Sequence, residues 1–245
     1  MGSAFFWGAV GASALVLGSL LAIALRPSSR VTGMIMAFGA GVLISALAYD
    51  LVEEAAQTAS ARQVGFGVLV GAFVFFAGDA LIDRMGGNDR KASSGAQADG
   101  SGLAIVLGAV LDGIPESIVL GLGLLGGEGI SVAFIAAVFI SNLPEGLSAT
   151  TGLLASGWSR ARVLGLWGGV ALASALAALA GYAVFDGASP DSVTFVLSFA
   201  GGAILCMLAD TMMPEAFAHE GRLVGLLTTA GFALAFALHT AQAAG

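Results

Sequence analysis

Eight long apolar segments leave this chain few ways to fold. Each is close to the roughly 20 residues that an α-helix needs to cross about 30 Å of hydrocarbon. Their predicted limits are 3–25, 31–52, 64–83, 102–125, 129–155, 162–184, 193–216 and 222–242. Because the segments are continuously apolar and lack the two-residue alternation of a strand, they predict an all-α polytopic membrane protein and not a β-barrel.

The composition agrees with this class. The chain is 58% hydrophobic and 10% charged, whereas soluble domains carry about 25% charged residues. Cys206 is the only cysteine, which excludes an intrachain disulfide. The apolar start lacks a basic region, so we expect a permanent first span and not a removed signal peptide. Residues 1–245 then form a single transmembrane domain with a flexible cytoplasmic loop at 85–101, which is rich in Gly, Ser and Ala.

The basic residues predict the orientation of the spans. Eight of the nine fall in alternate connections if residues 26–30 are cytoplasmic, which is the pattern of the positive-inside rule. They are Arg26, Arg30, Arg84, Arg90, Lys91, Arg160, Arg162 and Arg222, and only Arg62 falls on the other side. Both termini are therefore expected outside.

An internal repeat relates the second span to the seventh. Six residues match at one offset: Phe38, Gly41, Leu47, Ala48, Glu54 and Ala55 match Phe199, Gly202, Leu208, Ala209, Glu215 and Ala216. The two spans cross in opposite senses, as in transporters built from inverted repeats. The fourth and fifth spans also resemble each other, so the predicted arrangement is three, two and three helices (3+2+3).

Spans four and five each contain carboxylates beside a proline. The runs are Asp112-Gly113-Ile114-Pro115-Glu116 and Ser141-Asn142-Leu143-Pro144-Glu145-Gly146. A charged side chain at bilayer depth costs roughly 2.5–3.5 kcal/mol on insertion scales, so such residues are usually functional. Spacings of four and three residues put Asp112 with Glu116, and Asn142 with Glu145, on one helix face each.

These side chains predict a cation site. Pro115 and Pro144 are predicted to kink their helices and to free the carbonyl groups of Leu111 and Ile140. The predicted metal ligands are Asp112, Glu116, Asn142, Glu145 and Ser141, with Ser117 as a neutral oxygen nearby. The alternative is that the acids are protonated or hydrogen-bonded contacts between helices.

The motifs resemble those of the ZIP (Zrt-, Irt-like protein) metal transporters. Asn142-Leu143-Pro144-Glu145-Gly146 is similar to part of that family's His-Asn-x-Pro-Glu-Gly pattern. Asp50-Leu51-Val52-Glu53-Glu54-Ala55 resembles its His-Leu-Leu-Pro-Glu-Ala, and Asp210-Thr211-Met212-Met213-Pro214-Glu215 its His-Glu-x-x-Pro-Glu. The resemblance extends over nearly the whole chain, and its specific motifs over about thirty residues.

The ligand set departs from the family. Asp112 and Gly113 stand where it usually has histidine and asparagine, and Ser141 and Asn142 replace its usual fifth-span ligands. Some members of the family hold a second metal with a carboxylate of the sixth span. No acid occurs here between Arg162 and Asp186, so the resemblance implies one metal site and not two. The resemblance favours Zn²⁺ as substrate, while the oxygen ligands suit Mn²⁺ or Fe²⁺ as well.

The resemblance implies a transporter and not an enzyme, without a prosthetic group. It implies uptake toward the cytosol by alternating access, in a multi-pass protein of the cell membrane. Compactness and short loops favour a bacterial plasma membrane. Family members often form homodimers, although no interface can be identified here, and nothing indicates nucleic-acid binding. Asp50 and Asp210 are predicted to relay metal or protons along the pathway, or else are interfacial residues near helix ends.

Two rival functions follow from other features. Tyr49-Asp50 and Gly78-Asp79 resemble parts of the motifs of intramembrane aspartyl proteases, but Phe76 replaces the first glycine of the second motif. The missing histidines also allow a non-transporting membrane protein that serves as a binding or assembly module on the same fold.

Overall fold

The computed structural model describes residues 1–87, 102–125 and 131–243. This part contains eight helices long and apolar enough to cross a membrane, and no strand, which confirms the predicted helix number and class. Of the predicted loop 85–101, Met85–Gly87 form the last turn of the third helix and the rest lies outside the described residues. The helices are α1 (Gly2–Leu25), α2 (Ser29–Thr58), α3 (Ala61–Gly87), α4 (Gly102–Leu122), α5 (Val132–Ala155), α6 (Arg160–Phe185), α7 (Pro190–His219) and α8 (Val224–Ala243).

Serines begin five of these helices. In each case the serine hydroxyl accepts a hydrogen bond from a backbone N–H of the first turn, which satisfies a donor that the helix leaves unpaired. At α3 the contact is reciprocal, because the side chain of Gln63 accepts from the backbone of Ser60. The five residues are Ser28, Ser60, Ser131, Ser159 and Ser189.

Helices α2 and α5 form the interior of the bundle. In their most apolar windows 67% and 72% of the residues are buried, against 28% for α3 and 17% for α8. Helix α5 packs between α1 and α2, whereas α4 packs mainly against α6 and touches α5 only briefly. The two helices that carry the predicted ligands therefore make few direct contacts with one another, and each packs mainly against other helices.

Glycines allow the closest helix contacts. A Cβ at Gly41 of α2 would overlap the carbonyl oxygen of Thr228 in α8, and one at Gly202 of α7 would overlap that of Val68 in α3. The reverse contacts also match: Gly231 of α8 lies against the carbonyl group of Phe38, and Gly71 of α3 against that of Phe199. Positions 41 and 202, and 38 and 199, correspond in the sequence repeat. The α2–α8 and α7–α3 contacts are thus built alike.

A π-helical segment interrupts α2 and α7 at corresponding positions. The segments are Leu47–Glu53 and Leu208–Met212, and their first residues correspond in the repeat. A π-helical turn accommodates an extra residue and changes the direction of the side chains that follow, and such turns are frequent at functional sites. The two segments contain Asp50 and Asp210.

Connections predicted on one side of the membrane lie together. The Arg30 Nε donates to Glu220 Oε2 at 2.7 Å, which joins the start of α2 to the turn before α8. This guanidinium holds the pKa of Glu220 below its usual range. Arg26 and Arg160, from the turns before α2 and α6, line a common cavity.

Candidate functional site

Asp112 and Glu116 are buried within α4. Their exposed fractions are 2% and 3%, and Ser117 beside them donates a hydrogen bond from its Oγ to the carbonyl oxygen of Gly113 at 2.7 Å. The helical period puts Asp112, Glu116 and Val119 on one stripe of α4. The predicted ligands of this helix thus face the bundle interior and not lipid.

Ser141 and Glu145 are buried on one stripe of α5. Their exposed fractions are 1% and 7%, and the Ser141 Oγ donates to the carbonyl oxygen of Val138 at 3.0 Å. Spacings of seven, four and three residues align Phe134, Ser141, Glu145 and Ser148 on this face. The stripe runs along most of the helix and is polar in its second half.

The flanking faces of α5 are occupied by other helices. Asn142 Nδ2 donates to the carbonyl oxygen of Gly11 in α1 at 3.4 Å, so its amide nitrogen is turned toward α1. On the opposite flank, a Cβ at Gly39 of α2 would lie 3.2 Å from Pro144 Cγ and 3.4 Å from the carbonyl oxygen of Ile140. The carbonyl group that Pro144 leaves without its helical donor therefore lies against α2.

A cavity of about 60 Å³ lies at one end of these stripes, among α2, α4, α5 and α7. It is lined by Val119 and Leu122 of α4, Phe134 of α5, and the acidic residues Asp50 and Glu54 of α2. Ser131 also lines it and donates from its Oγ to Asp50 Oδ1 at 3.1 Å. Three residues of helix rise separate Val119 from Glu116, about 4.5 Å.

Asp50 also contacts His239 of the last helix. Their Nδ1 and Oδ1 atoms are 3.1 Å apart, and the side chain of Asp50 is only 10% exposed. Tyr49 stacks against the same imidazole with ring centroids 5.5 Å apart. His239 is thus a hydrogen-bonded residue, and Asp50 joins α2, α5 and α8 at the cavity.

Asp210, the other residue predicted to lie on the pathway, has different surroundings from Asp50. It is exposed, and Cys206 Sγ donates to its Oδ2 at 3.2 Å. The repeat offset that aligns Glu54 with Glu215 aligns Asp50 with Thr211. One residue turns a helical side chain by about 100°, which accounts for the different environments.

A third polar cluster, which sequence reasoning did not assemble, lies beyond Glu145. Ser148 Oγ donates to Glu215 Oε1 at 3.4 Å, and Glu215 Oε1 is 2.9 Å from His219 Nε2. The predicted seventh span ends at residue 216, whereas α7 continues to His219, four residues after Glu215. That four-residue spacing was the available signal, since it puts both side chains on one face.

The five predicted metal ligands are all buried in the described part of the bundle. Among the described residues, no three His, Cys, Asp or Glu side chains are grouped so that they could hold a metal ion. Asp112, Glu116 and Glu145 are all buried, but their convergence on one ion stays a prediction. The same holds for Ser141 and Asn142 as ligands.

Comparison with known proteins gives a distant similarity. No family model matches the chain. Over 210 residues the chain is 26% identical to an Arabidopsis thaliana protein named a "putative zinc transporter". The aligned region is 84% of this chain and 33% of that protein, so the chain spans about a third of the length of this curated relative. Together with the eight apolar helices, this similarity indicates a multi-pass membrane protein related to a metal transporter.

Proposed function

We propose that this protein is a membrane transporter for a divalent transition-metal cation. One observation carries the proposal: Asp112 and Glu116 of α4 and Glu145 of α5 are buried on the helix stripes that begin at the cavity. From Leu122, helix rise puts Glu116 about 9 Å and Asp112 about 15 Å deeper. From Phe134 on α5, which runs the other way, Ser141 is about 10 Å and Glu145 about 16 Å deeper. A cation between the helices would meet oxygen ligands from both at two levels.

The chemistry of this set favours a metal ion. An ionised carboxylate is costly to bury, and a divalent cation bound beside it offsets most of that cost. The name of the similar plant protein makes Zn²⁺ the first candidate. The oxygen-only set, Asp112, Glu116, Asn142, Glu145 and Ser141, is also suited to Mn²⁺ or Fe²⁺.

Three polar groups along the bundle supply a path. Asp50, Glu54 and Ser131 lie at the cavity, the α4 and α5 acids lie deeper, and Glu215 with His219 lies beyond them. Glu145 is one turn from Ser148, which contacts Glu215. In this proposal the cation passes from the cavity to the buried acids and leaves past Glu215.

The proposed mechanism is alternating access by a 3+2+3 inverted repeat. Matched glycine contacts in α2–α8 and α7–α3, and π-helical turns at matched positions, support such a repeat. The outer helices would rock against α4 and α5, exposing the acids to one side and then the other. By the charge pattern the cavity faces outward, the termini are outside, and transport runs toward the cytosol.

Uptake into proteoliposomes tests the proposal. Glu116→Gln and Glu145→Gln keep side-chain volume but remove charge from the proposed site, so uptake of Zn²⁺ is expected to fall about tenfold or more in each. Asp186→Asn, at an exposed residue after α6, is the matched control and is expected to transport like the parent. Parent-like uptake by the Glu116→Gln, Glu145→Gln double variant would contradict the proposal.

A second candidate is a non-transporting membrane protein that binds or assembles through the same helices. It is favoured by the hydrogen bond from Asn142 to Gly11 of α1, which uses the amide of a predicted ligand in helix packing. The proteoliposome uptake assay separates the two candidate functions. If the protein only binds or assembles, uptake of divalent metal by the parent protein is expected to equal that of empty liposomes.

A further inference from the structure

A second, larger cavity lies at the opposite end of α5 from Ser131. Its volume is about 610 Å³, in the range of small-molecule sites. It is bounded by the end of α1, the turn into α2, the last turns of α5 and the turn into α6. Ala22, Ile23 and Leu154 give it apolar walls, while Arg26, Arg160 and Trp158 lie where these turns meet it.

The charge at this cavity is of one sign. Both charged residues that line it are arginines, and no acid does. Within the described ranges neither Arg26 nor Arg160 pairs with a carboxylate, whereas nearby Arg30 is paired with Glu220. A third arginine, Arg162, lies with its guanidinium carbon 3.7 Å from the ring centroid of Trp158. The cavity therefore combines mainly apolar walls, which also include Thr151 and Ser159, with the positive charge of two arginines.

The backbone at Arg26 brings a cationic side chain to a position where glycine is usual. Arg26 ends α1 with φ 48° and ψ 58°, and its N–H bonds to the carbonyl oxygen of Ala22. It is the one non-glycine residue with positive φ in the described part of the chain. Glycine takes this left-handed cap most easily, because it has no Cβ. An unfavourable residue held in such a conformation suggests a role for its side chain.

We propose that this cavity binds the phosphate group of an anionic lipid. Arg26 and Arg160 contact the phosphate oxygens, and the glycerol and first acyl carbons lie against Ala22, Ile23 and Leu154. Basic pockets between membrane-spanning helices bind lipid headgroups in this way, and tryptophan is enriched at the depth where headgroups lie. The apolar walls favour a lipid over a free phosphate compound, which has no group to cover them.

The bound lipid would join elements that are far apart in sequence. Arg26 follows α1, and Arg160 begins α6 after the turn from α5. A phosphate held by both would tie α1 to the α5–α6 turn. We therefore expect the lipid to raise the thermal stability of the whole bundle.

Lipid titration of the full-length protein in neutral detergent tests this site. Phosphatidylglycerol is expected to bind and raise the melting temperature, and phosphatidylcholine to have little effect. Arg26→Gln and Arg160→Gln are each expected to weaken phosphatidylglycerol binding about fivefold. Arg222→Gln is the matched control, because Arg222 is exposed and does not line the cavity. Equal affinities in the parent and in the Arg26→Gln, Arg160→Gln double variant would overturn the proposal.

Two further arms identify the source of the phosphate and the place of binding. Glycerol phosphate and inorganic phosphate at millimolar concentration are expected not to displace the lipid; displacement by either would overturn the assignment to a lipid. Phosphatidylglycerol brominated near the glycerol is expected to quench tryptophan fluorescence more strongly than brominated phosphatidylcholine does. The Trp158→Phe variant is expected to lose this additional quenching. Retention of the additional quenching in Trp158→Phe would place the lipid elsewhere and overturn the site.

Discussion

At the scale of single residues, the two aspartates that the sequence predicts to lie on the pathway, Asp50 and Asp210, have different environments. Asp50 is held by Ser131 and His239 beside the cavity, whereas Asp210 is exposed beside Cys206. A one-residue difference in register separates them, because a helix turns by about 100° per residue. Of these two aspartates, Asp50 is therefore the one that lines the cavity.

Asp50→Asn is expected to raise the KM for metal uptake roughly tenfold, because a carboxylate in a cleft concentrates cations near it. The maximal rate is expected to change little, since Asp50 does not belong to the proposed buried site. Initial rates over a range of Zn²⁺ concentrations in proteoliposomes measure this. Asp210→Asn is the matched control with an unchanged KM, and equal effects of the two variants would contradict the distinction between the residues.

At the scale of helices, close contacts depend on residues without a side chain. Gly41 and Gly202 lie against carbonyl oxygens of α8 and α3, at positions that the sequence repeat relates. Small residues stabilise membrane helix pairs because they let backbones approach closely. Composition predicts such contacts in general, but the residue opposite each glycine is determined by how the helices pack.

Gly41→Ala and Gly202→Ala are each expected to lower the free energy of unfolding by about 1–3 kcal/mol, because the new methyl group overlaps a carbonyl oxygen. Denaturant unfolding in detergent micelles measures the loss. Gly165→Ala is the matched control, since no atom of the rest of the bundle lies within 4 Å of a Cβ at that position. A loss at Gly165 as large as at Gly41 would show that helix packing is not the cause.

At the scale of the whole molecule, charge and packing agree about which connections share a side. The pairing of Arg30 with Glu220 and the shared cavity of Arg26 and Arg160 join turns that the charge pattern puts inside. At the other end, Asp50, Ser131 and His239 join three segments that it puts outside. This agreement relates the connections to one another, while the absolute orientation stays a prediction.

Cysteine labelling measures that orientation. In a Cys206→Ser background, Gln57→Cys and Asp186→Cys are expected to react with a membrane-impermeant maleimide in intact cells. Ala161→Cys and Arg222→Cys are expected to react only after the membrane is permeabilised. All four positions are exposed, so reactivity reports the side of the membrane. The opposite pattern would reverse the predicted orientation and the direction of transport.

Local features of the site could also be predicted from sequence. The spacing of Asp112 with Glu116 predicts a shared face, and both residues are buried as acids of a functional membrane helix are expected to be. The spacing predicts that Asn142 shares a face with Glu145, but it could not predict the contact of the Asn142 amide with Gly11 of α1, 131 residues away. The four-residue spacing of Glu215 and His219 predicts that the two side chains share a face, but their contact with Ser148, 67 residues from Glu215, depends on the tertiary structure.

By itself, the sequence determined the number of helices and the presence of acids within them. These properties follow from the length of the apolar runs, because lipid offers the backbone no partners outside its own helix. Tertiary structure alone decided that Asp50 meets His239, 189 residues away, and that Arg26 and Arg160 share a cavity. Such contacts depend on the rotation and register of packed helices, and one residue of register turns a side chain to a different neighbour.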